Sequence, residues 1–110
     1  YAPDQDFGAR RSVFVPFFGI ETATLEATGR LIELTGCTVL PMFPAYDEKT
    51  RKYRVRFYPP IDNFPSGDIV QDLGRLNAMM EQQVRQVPEQ YWWIHRRFKT
   101  RPEGEPPFYD

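Results

Sequence analysis

Cysteine, histidine and serine are nearly missing from this chain of 110 residues. There is one Cys, one His and two Ser. One cysteine cannot close an internal disulfide, and without a CxxC or Cys/His cluster there is no thiolate zinc site. Neither Ser12 nor Ser66 sits in a GxSxG elbow, and P-loop, GxGxxG and HExxH patterns are also absent. No metal and no cofactor is therefore expected. Charge of one sign is lacking too. The formal net charge is −1, which speaks against a nucleic-acid partner held mainly by phosphate neutralisation. No apolar run approaches the roughly 18 residues a spanning helix needs; the longest, Val13 to Ile20, is broken by Pro16 and Gly19.

What is present is proline and aromatic rings. Eleven Pro imply many breaks, hence short elements and long connections. Phe, Tyr and Trp make up 15% of the chain, a large apolar payload that needs burial somewhere. The apolar fraction of 41% and charged fraction of 26% are those of a globular chain rather than a disordered one.

Hydrophobic spacing gives a coarse element order. The first dozen residues read as a loop. Ser12–Val15 reads as a short strand ended by Pro16, with a turn at Phe17-Phe18-Gly19. From Glu21 the spacing of Leu25, Thr28, Ile32 and Thr35 predicts a helix, with Thr22 as its N-cap and Gly36 past its end. Thr38–Phe43 reads as a strand bearing Pro41. Asp47–Lys52 is a polar reversal, and Tyr53–Tyr58 alternates as a half-buried strand with Arg54 and Arg56 on its other face. Asp68 is placed to cap the longest helix, in which Ile69, Leu73, Leu76, Met80, Val84 and Val87 recur every three or four positions as far as Pro88. A helical turn is expected over Glu89–His95 and an extended tail from Thr100. The order predicts an α/β fold, a partial mixed sheet with flanking helices and one helix crossover. Few strands, and an opening Tyr1-Ala2-Pro3-Asp4 in place of Met, lead us to expect a piece of something longer, with Phe17, Phe18 and Leu40 exposed where the remainder would cover them.

Three groups could carry chemistry. His95 could act as a general base, but a base needs an orienting acid, and its neighbours Arg96, Arg97 and Lys99 are cationic while position 100 is Thr. A structural role is favoured. Asp4-Gln5-Asp6, beside Gly8, reads either as a solvated turn or as a loop whose carboxylates organise an arginine or a substrate hydroxyl. Arg96, Arg97, Lys99 and Arg101 follow Tyr91-Trp92-Trp93. They form either a cationic surface strip beside buried rings or an interface at which rings sit at headgroup depth and cations hold anionic headgroups. Cys37 is expected to be a small core residue.

Taken together, several blocks resemble a known family. They are Pro3-Asp4-Gln5-Asp6-Phe7-Gly8, Ser12–Gly19, Val39-Leu40-Pro41 and the long Pro88–Gly104 stretch containing His95-Arg96-Arg97-Phe98-Lys99-Thr100-Arg101-Pro102. Over nearly the whole chain they resemble the carboxyl-terminal part of the late acyltransferases of lipid A biosynthesis, the lauroyl, myristoyl and palmitoleoyl transferases of Gram-negative bacteria. The resemblance implies a glycerol-phosphate acyltransferase-like (lysophospholipid acyltransferase-like) α/β domain, with residues 1–110 as its carboxyl-terminal portion. It implies transfer of a fatty acyl chain from acyl carrier protein to a hydroxyl of a Kdo-linked lipid A precursor, on the cytoplasmic face of the bacterial inner membrane. The family's catalytic pair is a His with an acidic residue five places later. His95 with Thr100 does not match it, so the pair and the membrane helix are expected upstream, and no catalytic residue is expected within residues 1–110. The resemblance places Asp4, Gln5, Asp6 and Gly8 in the acceptor-binding loop, with Asp4 and Asp6 as acceptor-side or active-site-organising carboxylates, and makes Pro41 a wall of the site. From their charge and context, Arg96 and Arg97 are read as contacts to anionic lipid. The alternatives are an anionic-lipid-binding module, and an acyltransferase of the same superfamily acting on another glycolipid or glycerolipid.

Overall fold

The structure is a computed structural model that describes all residues, Tyr1–Asp110. Two antiparallel hairpins and two helices follow in the order β1 (Ser12–Phe17), β2 (Ile20–Leu25), α1 (Ala27–Thr35), β3 (Met42–Asp47), β4 (Lys52–Phe57) and α2 (Ile69–Gln86). Short 3₁₀ turns lie at Ala9–Arg11, Pro88–Gln90 and Trp93–His95. No helix is long and apolar enough to cross a membrane.

The first hairpin corrects the reading of Glu21 onward as helix. Phe17 pairs with Ile20 and Ser12 with Leu25, so Phe18-Gly19 is a two-residue turn. Both turn residues have positive φ, 52° and 74°, the type I′ geometry that matches the twist of the flanking strands. Glycine takes this conformation freely. Phe18 is held in it by tertiary contacts: its N–H donates to the Glu81 carboxylate of α2 at 2.6 Å, and its ring lies edge-on to Phe17 and under the Arg85 guanidinium. Thr22, expected to cap a helix, is a fully buried strand residue. Its β-branched side chain and that of Thr24 favour a strand over a helix start. Pro16 lies within β1 rather than after it. A two-stranded sheet is all edge, and there the missing N–H costs no ladder bond.

Helix α1 then begins six residues later than expected, at Ala27, and closes at Gly36, whose N–H returns to the Ile32 carbonyl at 2.8 Å. Gly29 faces Ile69, where a Cβ would come within 3.2 Å of the Ile69 methyl, so the glycine permits close approach of α1 to α2. Helix α2 starts where the sequence put it. The Asp68 carboxylate accepts from the Gln71 N–H at 3.0 Å. α2 lies against β1, burying Leu73, Asn77 and Val84 with Val15, Phe17 and, from the tail, Phe98. Phe17 is thus core, not exposed; Leu40 is exposed as expected.

The second hairpin starts four residues after its expected position. Pro41 precedes β3 and its carbonyl accepts from the Tyr58 N–H. β3 and β4 pair with each other alone. The sheet portion is therefore two separate antiparallel hairpins, not one mixed sheet joined by a helix crossover. All six residues of β4 are exposed, so it is not half-buried. Cys37 is exposed as well, against the core placement expected for it.

Candidate functional site

The acidic loop before β1 has no helix or strand of its own up to Ala9, and the carboxyl-terminal tail holds it. Asp6 is buried. One carboxylate oxygen accepts from the Gly8 N–H at 2.8 Å and from the Thr100 hydroxyl at 2.8 Å; the other accepts from the Thr100 N–H at 2.9 Å. The first of these closes an Asx-type turn, which suits Gly8 at φ 87°. Asp6 thus accepts three hydrogen bonds from the chain itself and organises the loop.

Asp4 is placed differently. It is half-buried, and its backbone carbonyl lies 3.2 Å from His95 Nε2. Asp4, Gln5, Trp92 and His95 line an open cleft of about 320 Å³. The half-buried Tyr91 joins these residues through its hydroxyl, 3.4 Å from His95 Nε2. Burial, then the negative charge of Asp4, holds the Tyr91 hydroxyl protonated well above the ordinary tyrosine range. His95 turns both ring nitrogens to backbone oxygens, Nδ1 to Trp92 and Nε2 to Asp4. No carboxylate side chain contacts the ring, and the position five residues on, Thr100, is bound to Asp6.

The two adjacent arginines go opposite ways. Arg96 takes the left-handed conformation, φ 53°, and sits exposed over the Tyr109 ring. Arg97 is fully buried. It donates from Nη1 to the Ala23 carbonyl at 2.7 Å and from Nη2 to Thr24 Oγ1 at 3.0 Å, and lies over the Phe17 ring. Burial lowers its pKa from the ordinary arginine value, against the pull of Tyr91, Asp6 and Asp4. Arg97 is therefore not a surface contact for headgroups; a guanidinium that holds β2 from inside cannot also reach solvent. Pro41 is half-buried and does not line the cleft. Of the residues expected at the site, the structure brings Asp4 and Gln5 to the cleft, sets Asp6 and Gly8 as its support, and leaves Arg96 on the surface. Sequence reasoning read Tyr91 only as one of the rings before the basic cluster, and missed Thr100 as the partner of Asp6. Thr100 drew notice only as the place where an acid was lacking.

The profile described as bacterial lipid A biosynthesis acyltransferase matches residues 1–100. The chain belongs to that family. It is 41% identical over 110 residues to the lipid A biosynthesis lauroyltransferase of Escherichia coli, covering 99% of this chain and 36% of that protein. It is 43% identical over 105 residues to the lipid A biosynthesis myristoyltransferase of the same organism, covering 96% of this chain and 32% of that protein. A lipid A biosynthesis acyltransferase of Haemophilus influenzae is 42% identical over 105 residues, with 96% and 32% covered. This family member thus spans about a third of the length of the curated relatives it matches.

Proposed function

We propose that this chain is the acceptor-side, carboxyl-terminal part of an enzyme that transfers a fatty acyl chain from acyl carrier protein to a hydroxyl of a Kdo-linked lipid A precursor, at the cytoplasmic face of the bacterial inner membrane. The glycerol-phosphate acyltransferase-like fold belongs to the same proposal. The observation that carries it is the family match across residues 1–100, with the Asp4-Gln5 cleft inside the matched stretch. The acceptor oxygen bonds to the thioester carbonyl carbon, the carbon–sulfur bond breaks, and the acceptor's proton passes through a base to the carrier thiol. That base comes from outside residues 1–110, since His95 has no acid to orient it. Asp4 accepts a hydrogen bond from the acceptor, a charge-assisted contact.

The test is complementation. The complete polypeptide carrying this chain, expressed in Gram-negative cells that lack one of their own late lipid A acyltransferases, is expected to add one acyl chain to lipid A by mass. Asp4→Ala is expected to lower that product about tenfold or more. Unchanged lipid A mass with the unaltered polypeptide rejects the assignment.

A second reading, contact with an anionic lipid surface, is favoured by one observation. Trp92, which caps the Trp93–His95 3₁₀ turn, and Ile94 within that turn are 72% and 80% exposed, next to exposed Arg96. Rings and aliphatic side chains at headgroup depth, flanked by cations, suit such a surface. Co-sedimentation with vesicles containing phosphatidylglycerol is expected to weaken in salt and with Arg96→Glu plus Lys99→Glu. Indifference to both removes the reading.

A further inference from the structure

Asp4 and Asp6 lie two positions apart, yet the tail grips them at different atoms. Thr100 spends both of its donors on one carboxylate, N–H to one oxygen of Asp6 at 2.9 Å and hydroxyl to the other at 2.8 Å. That is a two-point grip across ninety-four positions of sequence. His95 supplies another anchor two residues earlier: in the tautomer that carries its proton on Nε2, it donates to the Asp4 carbonyl, 3.2 Å away. The two anchors bracket Gln5, and Asp4 and Gln5 both line the cleft.

We propose that Thr100, with His95, is a positioning residue: it clamps residues 4–6 so that Asp4 and Gln5 meet the acceptor in one fixed geometry. The clamp rests on the acyl-transfer reading for its purpose, and on hydrogen bonds alone for its existence. A loop with neither helix nor strand would otherwise sample many backbone states, and each must be lost when a ligand binds. Anchoring the loop beforehand removes that cost from the binding step, and a misplacement of about 1 Å in a reacting group lowers rates about a hundredfold. The choice of Thr fits: position 100 needs a hydroxyl as well as a backbone N–H, and Val has the same shape without the hydroxyl.

In the complete acyltransferase, Thr100→Val is expected to raise the KM for the lipid acceptor about tenfold while the KM for the acyl thioester stays as it was, and Thr100→Ser is expected to return the acceptor KM to within about twofold. His95→Leu removes the other anchor and is expected to act in the same direction, with His95→Gln closer to the unaltered protein. A purely structural role would lower the amount of active protein and leave the acceptor KM alone. Amide exchange reads the clamp without any turnover. In Thr100→Val the Gly8 amide is expected to exchange about tenfold faster, with β1 and α2 unchanged. If the unaltered enzyme fails to acylate, the functional reading falls, and exchange still decides the clamp. Unaltered Gly8 exchange, or an unaltered acceptor KM in both Thr100→Val and His95→Leu of an active enzyme, overturns it.

Discussion

The Thr24 hydroxyl is the meeting point of three parts of the chain. It accepts from Arg97 Nη2 at 3.0 Å and from Asn77 Nδ2 at 3.2 Å, and donates to the Thr22 carbonyl at 3.1 Å. Tail, α2 and β2 are thereby joined through one oxygen. Arg97 also satisfies the Ala23 carbonyl, and no carboxylate forms an ion pair with it. Removing a charged donor from such a place leaves buried acceptors bare, at a cost larger than the bond was worth. Arg97→Met is therefore expected to lower unfolding free energy by about 2–4 kcal/mol in urea titration, whereas Arg96→Met, one residue away, should stay within about 0.5 kcal/mol. Equal effects of the two would mean that Arg97 does not bridge β2 and the tail in solution. Composition gave both arginines the same standing. What separates them is tertiary placement, Arg97 enclosed by β2 and Phe17 and Arg96 exposed at a left-handed φ, and no property of an Arg-Arg pair signals that.

Among the elements, legibility followed how local the deciding forces are. Helix α2 was readable because its cap, its spacing and its terminating Pro88 all act within a few residues, and the Asp68 cap sits as expected. The β1–β2 hairpin was not. A Phe-Gly turn lacks the Asn-Gly or Asp-Gly signature of type I′ geometry, and Phe18 is held there by Glu81, sixty-three positions away. Leu25, Thr28 and Ile32 meanwhile keep helical spacing across a strand end and a helix start, so the period alone ran the two together. The start of β3 moved for a similar reason: Val39 and Leu40 look like strand residues, but the ladder with β4 begins at Met42, and the hairpin register sets where it starts. At the site, the resemblance brought attention to Asp4 and Asp6 together. Only their partners divide them, Thr100 for one and His95 for the other, and both lie more than ninety positions along the chain.

At the scale of the whole molecule the two hairpins are unequal. β1 and β2 contribute Val15, Phe17, Thr22 and Thr24 to the interior, while β3–β4 contributes no buried residue. One face of this second hairpin carries Met42, Pro44 and Tyr46 opposite Phe57, Val55 and Tyr53, all exposed. Polar side chains fasten it. Gln90 accepts from the Tyr46 N–H at 2.7 Å and donates to the Tyr46 carbonyl at 2.9 Å, and Gln83 donates to the hydroxyl of Tyr58 just beyond β4. Such bonds are worth about 1 kcal/mol each net, too little to make β3–β4 share the cooperativity of the packed half. Amides of β3–β4 are therefore expected to exchange through a low-energy local opening, while those of β1, β2 and α2 wait for global unfolding. The exposed apolar face should also bind a hydrophobic dye strongly, as contiguous apolar patches do when they lack their partner. Gln90→Ala is expected to widen the gap in exchange between the hairpins and leave α2 as it is. Uniform protection across both hairpins, with no dye bound, would mean that the apolar face of β3–β4 is covered in solution and that the two halves fold as one.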